Sequence, residues 1–438
     1  MTESNEAKAR YRSFTSVKVL VMINLGLARI SQLLRNTALP WRAIHIAGTN
    51  GKGSVCAYIS AMLKAANVPC GRFTSPHLID RWDCITINEK AIDKDLFTAA
   101  EQEVQQMNAD EGIGASEFEL LTATAFTLFS QQKIDFGVVE VGMGGTEDAT
   151  NILRQPAVTV ITKIGEDHQS FLGKTLEEIT EHKAGILKPG VTCVVDGSND
   201  KKVLSKIRDR AINRRAGSVV CVPDDRPQNE SIIWSVLRKD DYEIHQQMHV
   251  SLAFEALCVG LGSSYSAQDL SQLLRAVRST FWPGRLQNIN IKALTSRTED
   301  VLLDGAHNKQ AADVLRSYVD RRLRQGNKSV TWVIAVSKGK PVHELLAVLL
   351  QPQDSLVASE FGAVSGMPWV SPVGAGEITS AAKEVGLQSN MVHSKLDIVE
   401  ALNLATGLSF GGPVVVAGSL YLVSDVLRAI RASSENSV

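Results

Sequence analysis

The sequence predicts an α/β protein with two domains, each built around an open, mostly parallel, doubly wound sheet. Three observations support this fold class. The 438 residues are enough for two or three domains, at about 150 residues per domain. Short β-branched runs alternate with longer helical patterns, which is typical of βαβ units. Several of these runs are apolar almost throughout, as expected for parallel strands that are covered on both faces.

The first domain is predicted to span residues 1–288. Its predicted strands are 43–48 (AIHIAG), 136–142 (FGVVEVG) and 157–165 (AVTVITKIG). Its predicted helices are 54–66, 118–132 and 175–187. The last of these starts with Thr175 and has Glu178 three residues later, the spacing of a capping box, and it stops at Pro189. The polar segment 196–250 allows no assignment.

The second, smaller domain is predicted to span residues 289–438. Strands are predicted in VLLDGAHN (301–308), SVTWVIAVS (329–337) and GPVVVAGS (412–419), and a helix near 310–325. The longest stretch without charge, 401–424, is interrupted by Asn403, Gly411, Gly412 and Pro413. We therefore interpret it as strand, turn and strand and not as a membrane helix.

Charge and cysteine content exclude several classes of protein. Lys plus Arg is 46 and Asp plus Glu is 47, so the net charge of -1 gives no global argument for binding nucleic acid or an anionic membrane. The six cysteines are far apart and form no C-x-x-C pair, which argues against a zinc site or a redox dithiol. We expect reduced thiols, a cytoplasmic location, no membrane segment and a monomer. The first residues, MTESNEAKARYRSF, do not have the pattern of a signal peptide.

A glycine-rich turn, residues 48–54, lies between a predicted strand and a predicted helix. Gly48, Gly51 and Gly53 let backbone N–H groups approach an anion, and Lys52 adds a positive charge at the amino end of the helix. This predicts a loop that binds nucleotide phosphates. The loop departs from the usual G-x-x-x-x-G-K-[ST] pattern, because Gly53 separates Lys52 from Ser54. The glycines at 142–145 do not form a dinucleotide fingerprint, since Glu147 stands where the third glycine is required.

The motifs along the chain resemble one family. They are GTNGKGS (48–54), FTSPHL (73–78), VVEVGMGGTEDATN (138–151), GEDHQSFLGKT (165–175), HKAGILKPG (182–190), WPGR (282–285) and LLDGAHN (302–308). Together they are similar to the folylpolyglutamate synthase and dihydrofolate synthase family of the Mur ligase superfamily, and most similar to its fungal-type dihydrofolate synthases. The resemblance implies an ATPase domain with a phosphate loop, a carboxy-terminal Rossmann-like domain, and ATP held between them.

The resemblance also implies which residues bind ATP and metal. The ATP-binding candidates are Gly48, Thr49, Asn50, Gly51, Lys52, Gly53, Ser54, His249, Arg285, Asp304 and His307. His249 stands where these ligases often carry an Asn, so its contact with ATP is an open question. The metal-binding candidates are Ser75, Glu140, His168 and Lys183, and the catalytic candidates are Lys52, Glu140, His168 and Lys183. Two Mg²⁺ ions are implied, and K⁺ is a further candidate ion.

Two of these candidates also have a physical argument. Glu140 ends an apolar strand, where open α/β sheets place ligands, and its carboxylate suits Mg²⁺. Lys183 matches a lysine that is carbamylated in similar enzymes, and burial would leave its amine neutral and able to react with CO₂. On the residues alone, an ordinary surface lysine would be the favoured interpretation.

The implied reaction joins L-glutamate to 7,8-dihydropteroate through an acyl phosphate, with ATP as co-substrate. Candidate substrate-binding residues are Asn24, Leu25, Gly26, Ser116, Glu117, Phe118, Glu119, Glu147, Asp148 and Ala149. One alternative is a folylpolyglutamate synthase, alone or as a second activity, which extends glutamate tails on tetrahydrofolate. A more remote alternative is an inactive binding protein of the same fold. The presence of Lys52, Glu140, His168 and Lys183 argues against it.

Overall fold

The computed structural model describes residues 26–222, 237, 242–263, 267–280, 282–326 and 328–435. In this part of the chain, the strands form two separate sheets of eight and six strands. Both sheets are mostly parallel and have helices on both faces, which confirms the predicted fold class.

The first sheet has the order β4-β3-β2-β5-β1-β6-β7-β8. Its strands are β1 (Arg42–Ala47), β2 (Cys70–Phe73), β3 (Ile85–Ile87), β4 (Lys90–Ala91), β5 (Phe136–Glu140), β6 (Val158–Ile161), β7 (Cys193–Asp196) and β8 (Val219–Val222). The strands β2, β5, β1, β6, β7 and β8 run parallel, whereas β3 and β4 are antiparallel additions at one edge.

Helices cover both faces of the first sheet. They are α1 (Ala28–Leu33), α2 (Lys52–Ala65), α3 (Lys94–Asp110), α4 (Glu117–Gln131), α5 (Gln169–Leu172), α6 (Leu176–Lys183), α7 (Lys201–Arg214), α8 (Ile244–Leu261) and α9 (Ala267–Arg278). Because side chains alternate along a strand, Ile44 and Ile46 of β1 pack under α2 and α8, while Ala43 faces the aromatic cluster of α4.

The predicted elements of this domain lie close to the observed ones. The capping box before α6 is present, with Thr175 Oγ1 accepting from the Glu178 N–H (3.2 Å) and Glu178 Oε2 accepting from the Thr175 N–H (3.1 Å). The segment that could not be assigned, 196–250, contains α7, β8 and the start of α8 within its described residues.

The second sheet has the order β13-β12-β11-β14-β10-β9. Its strands are β9 (Gln287–Ile289), β10 (Val301–Leu303), β11 (Thr331–Ile334), β12 (Ser355–Ala358), β13 (Val392–Ser394) and β14 (Val414–Ala417). Only β9 runs antiparallel to its neighbour. The surrounding helices are α10 (Lys309–Arg322), α11 (Val342–Leu349), α12 (Ala375–Glu384), α13 (Ile398–Ser409) and α14 (Leu420–Glu435). Since β9 belongs to this sheet, we propose a domain boundary just before Gln287.

The prediction of strand, turn and strand for 401–424 is wrong. Residues up to Ser409 lie in α13, the turn leads into β14, and α14 starts at Leu420. Asp397 caps α13 by accepting from the N–H groups of Val399 and Glu400, and this cap lies outside the stretch on which the prediction was based. Among the described residues, no helix is long and apolar enough to cross a membrane.

Candidate active site

The glycine-rich turn connects β1 to α2 and is fixed to the end of β6. The N–H groups of Thr49 and Asn50 donate to the carbonyl of Lys163 (2.8 and 3.1 Å), and the Thr162 hydroxyl donates to the carbonyl of Asn50 (2.8 Å). The main chain of the loop is therefore held in place from a neighbouring strand before any ligand binds.

At two positions of this loop, neighbouring side chains leave no room for a Cβ atom, so only glycine fits. Gly51 has a φ of +90°, and a Cβ atom placed on it would lie 2.3 Å from His249 Nε2. A Cβ atom on Gly53 would lie 2.8 Å from the Trp282 ring and 3.3 Å from Glu140 Oε2. The extra glycine between Lys52 and the serine, which departs from the usual phosphate-loop pattern, makes room for Trp282.

Lys52 and Glu140 face each other at the start of α2 and the end of β5. Lys52 Nζ donates to the carbonyl of Thr49 (3.2 Å) and lies 3.8 Å from Glu140 Oε1. The other carboxylate oxygen accepts from the Ser75 N–H (3.2 Å). Burial raises the pKa of Glu140, and the positive charges of Lys52 and Arg285 oppose this rise. The Glu140 carboxylate therefore lies beside the loop that is predicted to bind phosphates.

Lys183 is buried at the end of α6, with only 3% of its surface exposed. Its Nζ donates to the carbonyl of Gly48 at 2.8 Å, so the amine lies against the phosphate loop. Burial, and then repulsion by Lys52, lower the pKa of Lys183 to about 7. The surface lysine that the residues alone favoured is therefore excluded.

The Asp167 carboxylate contacts three side chains of the second domain, those of Lys340, His307 and Asn308. Its Oδ1 binds Lys340 Nζ at 2.5 Å, and its Oδ2 lies 3.4 Å from both His307 Nε2 and Asn308 Nδ2. Burial opposes ionisation of Asp167, but the contacts with His307, His168 and Lys340 hold its pKa well below the usual range. The carboxylate therefore stays charged and holds the two domains together.

Asn50 of the phosphate loop makes a second contact between the domains. Its side-chain amide donates to Gln310 Oε1 (2.6 Å) and exchanges hydrogen bonds with the Asn308 amide (3.1 and 3.3 Å). We call these residues the interdomain cluster; its members are Asn50, Asp167, His307, Asn308, Gln310 and Lys340.

His168 lies next to this cluster, at the start of α5. Partial burial and the charges of Lys340, Lys183 and Lys52 lower its pKa to about 4, although Asp167 opposes this. His249, on the other side of the loop, has a pKa lowered to about 4 by burial and by Arg285. Both imidazoles are therefore neutral at physiological pH, the form that binds metals and accepts hydrogen bonds.

Arg285, in the segment that leads into the second domain, and Asp304 of that domain form one wall of the site. Burial lowers the pKa of Arg285, opposed by the charges of Asp304 and Glu140. The two oxygens of Asp304 accept from the N–H groups of Leu286 and Ala306, each at 2.9 Å. Asp304 thus holds the turn that carries Arg285, and a contact between Asp304 and a ribose stays a prediction.

Among the candidate substrate residues, 116–119 begin α4. Ser116 and Glu119 form its capping box, and Glu119 Oε2 also accepts from Arg29 Nε (2.9 Å). Glu117 pairs with Arg81, and Phe118 stacks on Phe73. Glu119 Oε1 is buried without a partner among the described residues, so it remains available to a polar ligand.

The other substrate candidates lie at loop positions. Glu147 is exposed, Ala149 is buried, and Asp148 is buried with hydrogen bonds to the N–H groups of Met143 and Thr150. Gly26 is the first described residue. Asn24 and Leu25 lie outside the described residues.

The metal-binding candidates fit Mg²⁺ only in part as they stand. Glu140 is a nearly buried carboxylate beside the phosphate loop that accepts from the Ser75 N–H, and such a carboxylate suits a hard cation. Among the described residues, no three His, Cys, Asp or Glu side chains form a metal site by themselves. A carbamate on Lys183 would add the second anionic oxygen donor that the set lacks.

The sequence motifs did not identify Lys340, Gln310, Asn308 or Trp282 as individual site residues. Asn308 and Lys340 each follow a strand of the second sheet, and that position after a strand was the available signal. The pairing of Lys340 with Asp167 spans 173 residues, and no local motif could indicate it.

A phosphate loop with a buried lysine and a carboxylate, facing an arginine at the junction with a second α/β domain, is the arrangement of an ATP-dependent ligase of the Mur type. Residues 46–249 match the family described as Mur ligase middle domain, and residues 287–429 match the family described as dihydrofolate synthetase, C-terminal domain. The chain belongs to the dihydrofolate synthetase family.

Relatives and solved structures agree with this membership. The chain is 38% identical to the probable dihydrofolate synthetase of Schizosaccharomyces pombe, covering 93% of this chain and 99% of the relative. It is 36% identical to the dihydrofolate synthetase of Saccharomyces cerevisiae, covering 93% and 98%. It also resembles the folylpolyglutamate synthase of Mycobacterium tuberculosis complexed with ADP and AMPPCP (TM-score 0.78, 27% identity, covering 93% of this chain and 95% of that one). The resemblance to fungal dihydrofolate synthases is thereby confirmed.

Proposed function

We propose that the protein joins L-glutamate to 7,8-dihydropteroate and converts ATP to ADP and phosphate, forming 7,8-dihydrofolate. The single observation that carries the proposal is the arrangement of Lys52, Glu140 and Lys183 around one phosphate loop that faces Arg285 and the interdomain cluster. An inactive binding protein would have no need to bury a lysine and a carboxylate together at this loop.

The first step transfers the γ-phosphoryl group of ATP to the benzoate carboxylate of dihydropteroate. We propose that the N–H groups at the start of α2 and the Lys52 amine bind the phosphates, while Arg285 neutralises the charge that develops on the transferred group. The side chains of Trp282 and His249 lie close against Gly53 and Gly51 of this loop. The step needs no side-chain nucleophile, because the substrate carboxylate itself attacks.

In the second step, the α-amine of glutamate attacks the acyl phosphate, and inorganic phosphate leaves with the electron pair of the acyl–oxygen bond. The contribution of the protein is to position the two reactants and to neutralise charge. We propose that the substrate candidates at the start of α4, with the unpartnered Glu119 Oε1, contact the pterin.

We propose that Ser75, Glu140, His168 and a carbamylated Lys183 would hold Mg²⁺. When bound, the metal would neutralise the phosphate oxygens and lower the barrier to transfer. Support for the carbamate comes from the burial of Lys183 and from its pKa of about 7, which leaves neutral amine to react with CO₂. Two Mg²⁺ sites, and K⁺ as a further ion, are part of the proposal.

We further propose that the enzyme is a cytoplasmic monomer. All six cysteines are free, as expected in a reducing compartment. Folylpolyglutamate synthesis is a second candidate activity, because a Bacillus subtilis relative that is 29% identical is named dihydrofolate synthase/folylpolyglutamate synthase.

A substrate panel tests the proposal. The protein is incubated with ATP, Mg²⁺ and glutamate, and with either dihydropteroate or tetrahydrofolate monoglutamate, and phosphate release and folate products are measured. We expect dihydrofolate from dihydropteroate and no turnover in Lys52→Ala. Product only from tetrahydrofolate would replace the proposal with the second activity, and no product from either would refute both.

A further inference from the structure

A loop between β2 and β3 begins in the active site. Residues 74–84, which we call the docking loop, are closed at the base by a hydrogen bond from the Thr74 N–H to the Cys84 carbonyl (3.0 Å). Directly after this base, the Ser75 N–H donates to Glu140 Oε2 (3.2 Å). The position of the loop therefore decides where Ser75 stands relative to Glu140.

The tip of the docking loop is a rigid unit. One carboxylate, that of Asp83, accepts from three consecutive N–H groups, those of Leu78 (3.0 Å), Ile79 (2.6 Å) and Asp80 (2.9 Å). Charge-assisted bonds of this kind are strong and hold residues 78–83 together, and only Pro76 and His77 separate this unit from Ser75, so we expect a displacement of the tip to shift Ser75.

The second domain holds this tip through the final helix, α14. Arg431 makes two bonds to the Asp80 carboxylate (2.5 and 3.2 Å), and Arg428 Nη2 donates to the Ile79 carbonyl (3.2 Å). Leu78 packs against the apolar core of the second domain. The contact thus combines a two-pronged ion pair, a backbone hydrogen bond and apolar packing across the domain boundary.

Arg428 is itself held in place by its own helix. Its guanidinium binds Asp425 Oδ1 (2.6 Å) and Ser424 Oγ (2.9 Å), and Asp425 Oδ2 accepts from the Gly362 N–H (2.8 Å). The helix therefore presents its donor in a fixed direction. This ordering agrees with a function in positioning the loop.

We propose that Arg428 and Arg431 are positioning residues that set Ser75 beside Glu140, so that the metal-binding side of the phosphate site is complete only when the second domain is docked. The inference rests on the proposed function only in treating Ser75 and Glu140 as metal ligands. It links metal affinity to the contact between the domains.

The expected loss of metal affinity depends on how many contacts hold the docking loop. Arg81 ties the same loop to Glu101 and Glu117 of the first domain, so the loop remains partly ordered without Arg431. Arg431 is 45% exposed, and exposed ion pairs contribute little. We therefore expect metal affinity to fall about two- to fivefold when the charge of either Arg431 or Asp80 alone is reversed.

The test measures binding of Mn²⁺ by the full chain in the presence of ADP, by the electron paramagnetic resonance signal of free Mn²⁺. Arg431→Asp and Asp80→Arg should each weaken Mn²⁺ binding, and the double variant, which restores opposite charges, should recover it. Arg431→Lys should lose only part of the affinity, because a lysine keeps the charge but not the two-pronged geometry.

Lys395→Asp is the matched control. Lys395 lies in the same domain, is also 45% exposed, and pairs with Glu400 within that domain, so its reversal should leave Mn²⁺ binding unchanged. Equal affinity in wild type and single variants would overturn the inference, as would a double variant no better than the single ones. Since this assay needs no dihydropteroate, a failure of the ligase reaction would be recognised separately.

Discussion

At the scale of single residues, the most unusual side chain is Lys183, an amine buried against the carbonyl of Gly48 with its pKa lowered to about 7. Burying an amine there costs more free energy than burying an apolar side chain, and a chemical function explains why a lysine stands at this position. We predict that Lys183→Ala lowers the rate of dihydrofolate formation about a hundredfold, the size typical of losing one preorganised charge-stabilising group. The fold should survive, because Ala fits the space.

The same variant tests the carbamate. Added acetate should restore part of the rate, because it supplies the missing oxygens, and ¹³CO₂ should give a carbamate NMR signal in wild type only. Lys188→Ala is the control, since Lys188 donates to the Asn151 carbonyl (3.1 Å) and its pKa is also lowered, to about 8. Full activity of wild type in carbonate-free buffer would contradict the prediction.

His45 is a second buried titratable residue, and its lowered pKa makes the free energy of unfolding depend on pH. Thr150 donates its hydroxyl proton to Asp148 (2.5 Å), so its oxygen must accept from His45 Nε2 (2.8 Å). His45 is therefore the Nε2–H tautomer, and its Nδ1 is buried without a partner. Burial, and then the charge of Lys188, lower the pKa of His45 to about 3.

A pKa lowered in the folded state makes the protein less stable in acid. The unfolded chain binds a proton at His45 below about pH 6.5, whereas the folded chain does not until about pH 3. We predict that this residue alone lowers the free energy of unfolding by about 2 kcal/mol between pH 8 and pH 5. Urea unfolding of wild type and His45→Gln at both pH values measures it, and parallel losses in the two proteins would refute it.

At the scale of elements, the start of α2 depends on the absence of a side chain at Gly53. A methyl group there would lie 2.8 Å from Trp282 and 3.3 Å from Glu140 Oε2. We predict that Gly53→Ala weakens ADP binding at least about tenfold, because the ring or the loop must move, while the melting temperature changes little. Fluorescence of Trp282 should change with it.

Gly376→Ala is the control for this prediction. Gly376 lies in α12 with open space around its Cα, so the substitution should leave ADP binding unchanged and stabilise the helix by up to about 1 kcal/mol. Isothermal titration with ADP compares the two variants. Normal affinity in Gly53→Ala would show that the close contact has no function.

Local patterns predicted the phosphate loop, four helices and the strands in the middle of each sheet (β1, β5, β6, β10, β11 and β14), because parallel strands covered on both faces have distinctive apolar runs. The prediction failed for residues 401–424, where the apolar pattern fits either a helix or a strand. Ala401, Leu402 and Ala405 are buried at helical spacing in α13, although the charge-free stretch resembled strands. Contacts between domains could not be predicted, since Arg431 and Asp80 are 351 residues apart in the chain.

At the scale of the whole molecule, the second domain contacts the first at several places, including the interdomain cluster, the docking loop and an ion pair between Arg321 and Glu243. The cluster and the docking loop each lie beside a proposed metal ligand, because Asp167 precedes His168 and Ser75 is the second residue of the docking loop. Two such contacts fix the orientation of the domains better than one, since a single contact permits rotation about it. We therefore expect docking of the second domain to complete the active site.

Lys340 makes the most buried charged contact of the interdomain cluster, since its side chain is 15% exposed and that of Asp167 is 8% exposed. We predict that Lys340→Met weakens docking by about 1.5–3 kcal/mol, the contribution of a hydrogen bond to a charged group, because Asp167 loses its closest cation. Hydrogen exchange of the loops at 163–168 and 337–341 should accelerate, while β1 and β5 keep their protection. The affinity for ADP should fall in parallel, since the phosphate loop shares Asn50 with the same cluster.

Lys338→Met is the control on the same loop, because its exposed side chain should not contribute to docking. Unchanged exchange in Lys340→Met would show that the apolar contacts of Leu78 and the remaining cluster hold the domains without it.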